Sequence, residues 1–546
     1  MCGIYALLCS ESCSLEEGTM KKACQKGQKR GPEYSSFSSP CPKLYFGFHR
    51  LAINGLDEIS NQPLVEGPHQ LICNGEIYNA TTIFKNQKLL PKTHSDCEAI
   101  LGIYARNGPK CVSFLDGVFA LILYDETNKE VLVARDPYGV RPLYECVYED
   151  NTIGFASDVA PLLLGELSMK YIRPFQPGCY ASYKQNGKMW KQIHHERYFF
   201  PLSYQPMETK TMEYYMYTFL QRFQQAILKR VLNCERDIAC LLSGGLDSSL
   251  ISAYVARFYR DKKGIETYSI GLQGGEDLYY AKQVAEHIGS KHVELVMSHE
   301  DFIQSIPQVI YDIESFDTTT VRASVGNWNI GKYISNNSEA KVIFNGDGAD
   351  ELMGGYMYFH CCPNDEEFQN ETLRLLNDIH RFDVLRSDKS ISSHGLEPRT
   401  PFLDKELTRF YLSIPMEYRN HNHLQGEHRC EKYFIRKAIE LYDPDLLPQD
   451  VLWRKKEAFS DGVSKKELSW YEILQNYVEG ISLEEINGND LYHMSPQTKE
   501  QQYYRYIFRK TFPECCDTLI PYFWMPKYVE HAHDASARTL DIYNTY

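Results

Sequence analysis

The chain has 546 residues, 43% hydrophobic and 24% charged, which is the make-up of a globular protein with about two or three domains. A net charge of −14 excludes nucleic acid as the main partner, because a phosphate backbone needs a basic face, whereas a nucleotide needs only one basic pocket. The 17 cysteines follow no disulfide or CxxC pattern, the start MCGIYALLCS lacks a basic n-region, and no apolar run is long enough to span a bilayer, so a reducing, cytoplasmic location is expected, with no membrane and no glycan at Asn79, Asn336 or Asn370.

The first part of the chain reads as β-rich. Tyr45 to Ile53, Gln70 to Cys73 and Val118 to Tyr124 are apolar or alternating. Asp125 to Asn128 is a polar turn before the strand Lys129 to Ala134, a pattern of stacked hairpins that predicts a sandwich. His194 to Thr211, aromatic and broken by proline, reads as a linker. The period then changes. Met212 to Leu232 has helical spacing, Asp237 to Leu242 is a short buried strand, and Ser248 to Tyr259 is a helix. Strand Glu266 to Ile270, helix Tyr279 to Ile288 and strand Lys341 to Phe344 continue the alternation, which implies a parallel α/β sheet. Beyond residue 365 or so the chain reads as mostly helical, and no internal repeat is visible.

Cys2 becomes the first residue if Met1 is removed. Its thiol then sits beside its own α-amine, whose usual pKa near 8 lets it act as the general base. Taken alone, Cys2 reads better as a small hydrophobe opening a strand. Other segments change that balance. Asn74-Gly75 in CNGEIYN offers a side-chain amide and a backbone N–H for an oxyanion hole, and also reads as a hairpin turn. Arg50 suits a carboxylate and Asp96 an ammonium, the two ends of a free amino acid. Together these residues resemble the class II glutamine amidotransferases. The resemblance implies Cys2 as nucleophile, Arg50 and Asp96 as glutamine holders, and Asn74 with Gly75 as the oxyanion hole. It adds Leu51, Ala52, Ile53, Asn54 and Glu76 to the glutamine pocket. Where the family shows His-Arg-Gly-Pro-Asp, this chain has Lys29-Arg30-Gly31-Pro32-Glu33, so the turn is expected to survive.

Ser243-Gly244-Gly245-Leu246-Asp247-Ser248-Ser249 lies between a buried strand and a helix. Its glycines let backbone N–H groups approach a phosphate, and the helix presents its positive end. The motif resembles the pyrophosphate loop of the ATP pyrophosphatases, which convert ATP to AMP and pyrophosphate and adenylate a carboxylate. That resemblance makes Asp247, with Asp350, a candidate magnesium or pyrophosphate ligand. Asn345 to Glu351 is a glycine-rich acidic loop at the end of a strand, where α/β sheets bind ligands. Lys456 in WRKKEAFSDG is a cation suited to charge on an adenylate.

Both halves in this order resemble one family, the glutamine-hydrolysing asparagine synthetases. FLDGVFALILYD, RDPYGVRPLY, TTVRASVG, HGLEPRTPFLD and DASARTL extend the likeness nearly end to end. It implies an αββα Ntn-hydrolase-type glutaminase over residues 2–200. An α/β parallel-sheet ATP-pyrophosphatase domain with a helical C-terminal part would cover 212–546. It implies glutamine, aspartate and ATP as substrates, magnesium, an internal ammonia tunnel, and a homodimer. Leu241, Ser243, Gly244, Gly245, Asp247, Ser248, Ile270, Asn345 and Gly346 fall on ATP positions. Asp347 falls on the carboxylate tied to adenylate chemistry, and Asp350, Arg322, Lys432 and Lys456 fall around pyrophosphate. The family loop Ser-Gly-Glu-Gly is Asn345-Gly346-Asp347-Gly348 here, so the acid is one methylene shorter. A relative that amidates another carboxylate or closes a ring with an internal amine is the competing enzyme. A non-catalytic scaffold protein is the competing class, and the presence of both Cys2 and SGGLDSS argues against it.

Overall fold

The computed structural model describes residues 1–201, 210–259, 264–426, 429–464, 468–481, 493–529, 534–540 and 543. The N-terminal body stacks two antiparallel sheets. Its strands are β1 (Gly3–Leu8), β2 (Tyr34–Cys41), β3 (Leu44–Arg50), β4 (Leu64–Glu66), β5 (His69–Ile77) and β6 (Gly117–Asp125). They continue with β7 (Glu130–Arg135), β8 (Tyr144–Tyr148), β9 (Ile153–Ala156), β10 (Met169–Pro174), β11 (Cys179–Asn186) and β12 (Met189–Arg197). One sheet runs β10-β8-β9-β1-β3-β2 and the other β12-β11-β7-β6-β5-β4.

The strand period explains why β1 and β6 are apolar throughout. Successive side chains point to opposite faces. Ile4, Ala6 and Leu8 meet Ala120 and Ile122 between the sheets. On the outer face of the second sheet, Phe119, Leu121 and Leu123 pack under helix Glu98–Asn107. On the outer face of the first, Tyr5 and Leu7 share a core with Phe302, Ile306 and Ile310 of the C-terminal body. The layers are αββα, and the outer face of the first sheet is covered jointly by helix Glu17–Gln25 and the second domain. The expected linker is corrected at its start: His194 to Arg197 belong to β12, paired with β11. Its residues 202–209 lie outside the described residues.

The C-terminal body opens with helix Met212–Leu232, whose N-cap Thr211 accepts from the Tyr214 amide at 3.3 Å. Phe219, Leu220, Phe223 and Ile227 on its buried face pack against Phe402 and Phe434. Behind it lies a parallel sheet of β13 (Ile238–Leu241), β14 (Glu266–Leu272), β15 (Lys291–Met297), β16 (Val342–Phe344) and β17 (Glu397–Arg399). The order is β15-β14-β13-β16-β17, so the winding reverses between β13 and β16. That reversal opens a crevice beyond the carboxyl ends of those two strands. Strand β17, in a stretch expected to be mostly helical, forms because Val342, Ile343 and Phe344 leave one edge of the sheet to be covered.

The two bodies meet through buried charge. Arg30 is 1% exposed; it pairs with Asp158 at 3.1 Å and with Asp388 of helix Asp383–Ser392 at 2.7 Å. Its Nε also donates to the Cys2 carbonyl at 3.1 Å. Lys389 lies 3.8 Å from Asp158, and Arg141 lies 3.7 Å from Asp388 and 3.5 Å from Glu397. Charges this far from water are tolerated only because each has its partner. Replacing Arg30 with alanine would strand two buried carboxylates. A loss of about 3–5 kcal/mol is expected, read as a lower thermal midpoint in calorimetry; an unshifted midpoint would show that this pairing contributes nothing to stability.

Candidate functional site

Cys2 sits just before β1, half-buried, with its thiol donating to the Leu51 carbonyl at 3.6 Å. Burial pushes the thiol up to about 11, against the pull of the neighbouring amine. Met1 is buried beside it, and its amine donates to the Leu396 carbonyl at 3.3 Å.

Asn74 and Gly75 are not a hairpin turn. They lie inside β5, opposite Ala120 and Phe119 of β6. A Cβ on Gly75 would stand 2.4 Å from the Val118 carbonyl oxygen, so the neighbouring strand requires glycine there. The Asn74 side chain is fully buried, and neither its Nδ2 nor its Oδ1 has a hydrogen-bond partner. An unpaired buried amide is costly, and such groups mark places where a ligand completes the bonding.

Arg50 ends β3, the strand paired with β1. Its guanidinium donates to the Asp57 carbonyl at 2.8 Å, to Asn61 Oδ1 at 2.7 Å and to the Gly55 carbonyl. All these acceptors are neutral, so contact with them leaves the positive charge uncompensated. The Leu51-Ala52-Ile53 segment is buried, and Ala52 N–H donates to Glu33 at 2.7 Å. The departure Glu33 therefore holds the pocket wall itself. Asp96 accepts from the Ile77 amide at 2.6 Å and from Asn233 at 3.3 Å, and burial pushes its carboxyl up. Glu76 accepts from Asn54 at 2.5 Å and Asn233 at 2.8 Å, and meets Arg399 at 3.4 Å. Burial, with Glu397 and Asp96 nearby, pushes Glu76 well above the usual carboxyl range.

The second site is the crevice at the winding reversal. Leu241, Ser243, Gly245, Asp247, Ser248, Ile270, Asn345, Gly346, Asp347, Asp350, Lys432 and Lys456 all line it. Gly244 forms the bend of the loop behind the wall. Ser243 and Ser248 hydroxyls lie 3.0 Å apart, and helix Leu246–Phe258 starts there with its free amides. A Cβ on Gly346 would come within 2.8 Å of Asp247 Cβ and of the Ser248 amide, so the two loops touch and glycine is needed.

Lys432 bridges Asp247 and Asp350, each at 2.5 Å, and Lys456 holds the other Asp350 oxygen at 2.7 Å. Burial works against the Asp350 carboxylate, but the two ammonium groups hold it well below the usual range. Burial likewise opposes the Lys456 ammonium, and Asp350 with Asp247 keeps it charged. Lys432 sits at φ +57°, a left-handed conformation that disfavours lysine, and such strain concentrates at functional sites. Asp347 lies 3.8 Å from Arg386, and its amide donates to Asn345 Oδ1 at 3.3 Å. The departure Asn345 is anchored by donating to Ser387 at 2.6 Å.

Arg322 stands outside the crevice lining. Its guanidinium is saturated by Glu500 at 2.8 and 2.5 Å and by Asp534 at 2.7 and 2.8 Å. It lies on the buried face of helix Thr318–Asn337, where a bidentate fork ties helices to the chain end instead of meeting phosphate. Glu397, Arg399, Arg141 and Asn233 were assigned no site role from sequence. Charged residues inside HGLEPRTPFLD and RDPYGVRPLY were the available signal.

Comparison with known proteins agrees with this two-site arrangement. Residues 1–199 match a family described as glutamine amidotransferase domain, and residues 218–367 and 360–536 match one described as asparagine synthase. Relatives named glutamine-hydrolysing asparagine synthetase align over the whole chain and 99% of their own length. The Gallus gallus protein is 39% identical over 574 residues, the Cricetulus griseus protein 39% over 580, and the Homo sapiens protein 38% over 576. On the strength of both matches and both sites, the chain belongs to the asparagine synthase family and carries a glutamine amidotransferase domain at its N-terminal end.

Proposed function

We propose that the chain makes L-asparagine from L-aspartate and ATP, using ammonia freed from L-glutamine, and releases glutamate, AMP and pyrophosphate. The observation that carries this reading is the buried Asn74 amide, whose nitrogen and oxygen both lack a hydrogen-bond partner, in the same chain as the Lys432–Asp350–Lys456 cluster in the crevice.

In the first pocket Arg50 takes the glutamine carboxylate and Asp96 its ammonium. The Cys2 thiolate attacks the side-chain carbonyl. The Asn74 amide and the Gly75 N–H bear the negative charge that develops on oxygen, a role worth about 3–4 kcal/mol per donor. Ammonia leaves, and water releases glutamate from the thioester. Removal of Met1 puts the free amine on Cys2, where it takes the thiol proton. Neutral ammonia suits an apolar route, and Leu51, Ile53, Val118 and Val140 share one core with Leu242, Leu246 and Phe344 below the crevice.

In the crevice the SGGLDSS loop and the start of its helix hold the triphosphate. Lys432 and Lys456 neutralise pyrophosphate as the aspartate side-chain carboxylate displaces it. Asp347 positions the ammonia that attacks the adenylate. Magnesium is expected to arrive with ATP. Asp247 Oδ1 has no partner, and one or two carboxylates plus phosphate oxygens are how this ion is held. Bound there, such an ion would supply positive charge against the separating phosphates, with Asp247 as a protein ligand.

One incubation with glutamine, aspartate, ATP and magnesium, followed by mass analysis, tests the reaction. Asparagine with AMP is expected; ADP in its place would sink the adenylate route. The Cys2→Ala variant should lose glutamine use and keep synthesis from added ammonium. Lys456→Ala should lower AMP formation on the order of 10²-fold or more, with glutamine hydrolysis retained. Alkylation of Cys2 by iodoacetamide, followed on its peptide, should keep rising with pH to about 11 while Met1 is attached. A plateau near pH 8.5 in that unprocessed chain would contradict the burial of the thiol.

A further inference from the structure

Residues 534–540 and Tyr543 come back to the crevice, and none of them takes part in the reaction proposed above. Ala535 and Leu540 are part of the crevice wall. Asp534 is held from behind by Arg322, itself locked to Glu500 of helix Lys499–Arg509. From that anchor the chain makes a series of contacts to the segment that carries Lys456. Ser536 Oγ donates to Asp461 Oδ1 at 2.7 Å. Arg538 Nε lies 3.4 Å from Glu457 Oε2. The Tyr543 hydroxyl donates to the other oxygen of Glu457, and Lys455 donates to the Tyr543 carbonyl with its ammonium 4.6 Å from the Tyr543 ring centre.

The Lys456 segment needs such support. Between helix Gln449–Leu452 and helix Phe459–Gly462 there is no regular structure, so no backbone ladder sets the position of Lys456. A long side chain on an irregular segment has many competing rotamers, and holding it to one costs conformational entropy. Contacts on both neighbours, Lys455 and Glu457, and on Asp461 four residues further on confine the segment from three sides.

We infer that residues 534–540, together with Tyr543, act as a strap that fixes the Lys456 segment over the crevice, with Arg538 and Ser536 as positioning residues for the synthetase reaction. The inference rests on the reading of Lys456 given above. Arg538 acts through Glu457 and touches no substrate. Its effect belongs in the chemical step, because the strap sets where the ammonium stands when pyrophosphate separates. The Ser243–Ser248 loop that would grip ATP is built elsewhere.

The experiment uses the full-length chain and its Arg538→Ala, Arg538→Lys and Ser536→Ala variants, together with a chain ending at residue 533. Ammonium-dependent AMP formation is measured for kcat and for KM toward ATP, and glutamine hydrolysis without ATP is measured on the same samples. Arg538→Ala and the shortened chain should lose about 10-fold or more in kcat with KM within about 3-fold. Arg538→Lys should recover part of that loss, Ser536→Ala should lower kcat less than Arg538→Ala does, and glutamine hydrolysis should not change in any variant. An unchanged kcat in Arg538→Ala and in the shortened chain would overturn the strap. So would a parallel fall in both activities, which marks general loss of fold. Failure of the unaltered chain to form AMP with aspartate would be the separate failure of the reading beneath it.

Discussion

One guanidinium ties the molecule together. Arg399 is 1% exposed and lies between two carboxylates from different domains, Glu397 at 2.9 Å and Glu76 at 3.4 Å. Its main chain belongs to β17, and its carbonyl accepts from the Asn345 amide at 3.1 Å at the start of the acidic loop. One residue thus borders both candidate sites, its side chain against Glu76 and its backbone under the acidic loop. A buried charge with full pairing has little freedom to shift, since losing one partner leaves the other charged and dry. The relative placement of the two domains follows from that constraint, and Arg30, Arg141 and Lys389 extend it across the interface.

Each site shows the same economy in a different form. In the glutamine pocket, polar groups are buried and left incomplete. The Asn74 amide has no partner, Arg50 has neutral acceptors only, and burial, with Glu397 and Asp96 nearby, pushes the Glu76 carboxyl up although Arg399 faces it. In the crevice, opposite charges are packed tightly and satisfy one another, with Lys432 held in a left-handed conformation between Asp247 and Asp350. On the proposed reading, a zwitterion would supply the missing partners of the first arrangement, and phosphates would take over the carboxylate contacts of the second. A highly negative chain could hold a polyanion there because these cations are local and already oriented.

Much of the fold was legible in the sequence because each element carries its own period. The helix Met212–Leu232 is read from spacing alone, and the strands around Ala120 and Ile343 from continuous apolar runs. The glycine loops were legible because close approach leaves no other residue type. The errors have physical causes too. Asn74-Gly75 looks like a turn by propensity, yet the tight approach of β6 explains its glycine, so the same dipeptide sits inside a strand. Arg322 carries the charge expected of a phosphate binder, and only the fold reveals that Glu500 and Asp534 consume it. Strand β17 is three residues long and too short to show any period.

By itself the sequence determined the two-part architecture, the nucleophile candidate at Cys2 and the phosphate loop, since periodicity and loop chemistry are local properties. The tertiary structure decided which charges are spent and which are left for ligands. It decided that Arg399 and Glu397 lie between Glu76 and the acidic loop, that Arg322 pairs with Glu500 and Asp534, and that Ser536, Arg538 and Tyr543 meet the Lys456 segment. Those outcomes depend on pairs separated by as many as 323 positions, such as Glu76 with Arg399. A charge read along the chain has no partner until folding brings one within a few ångströms and removes the water between them.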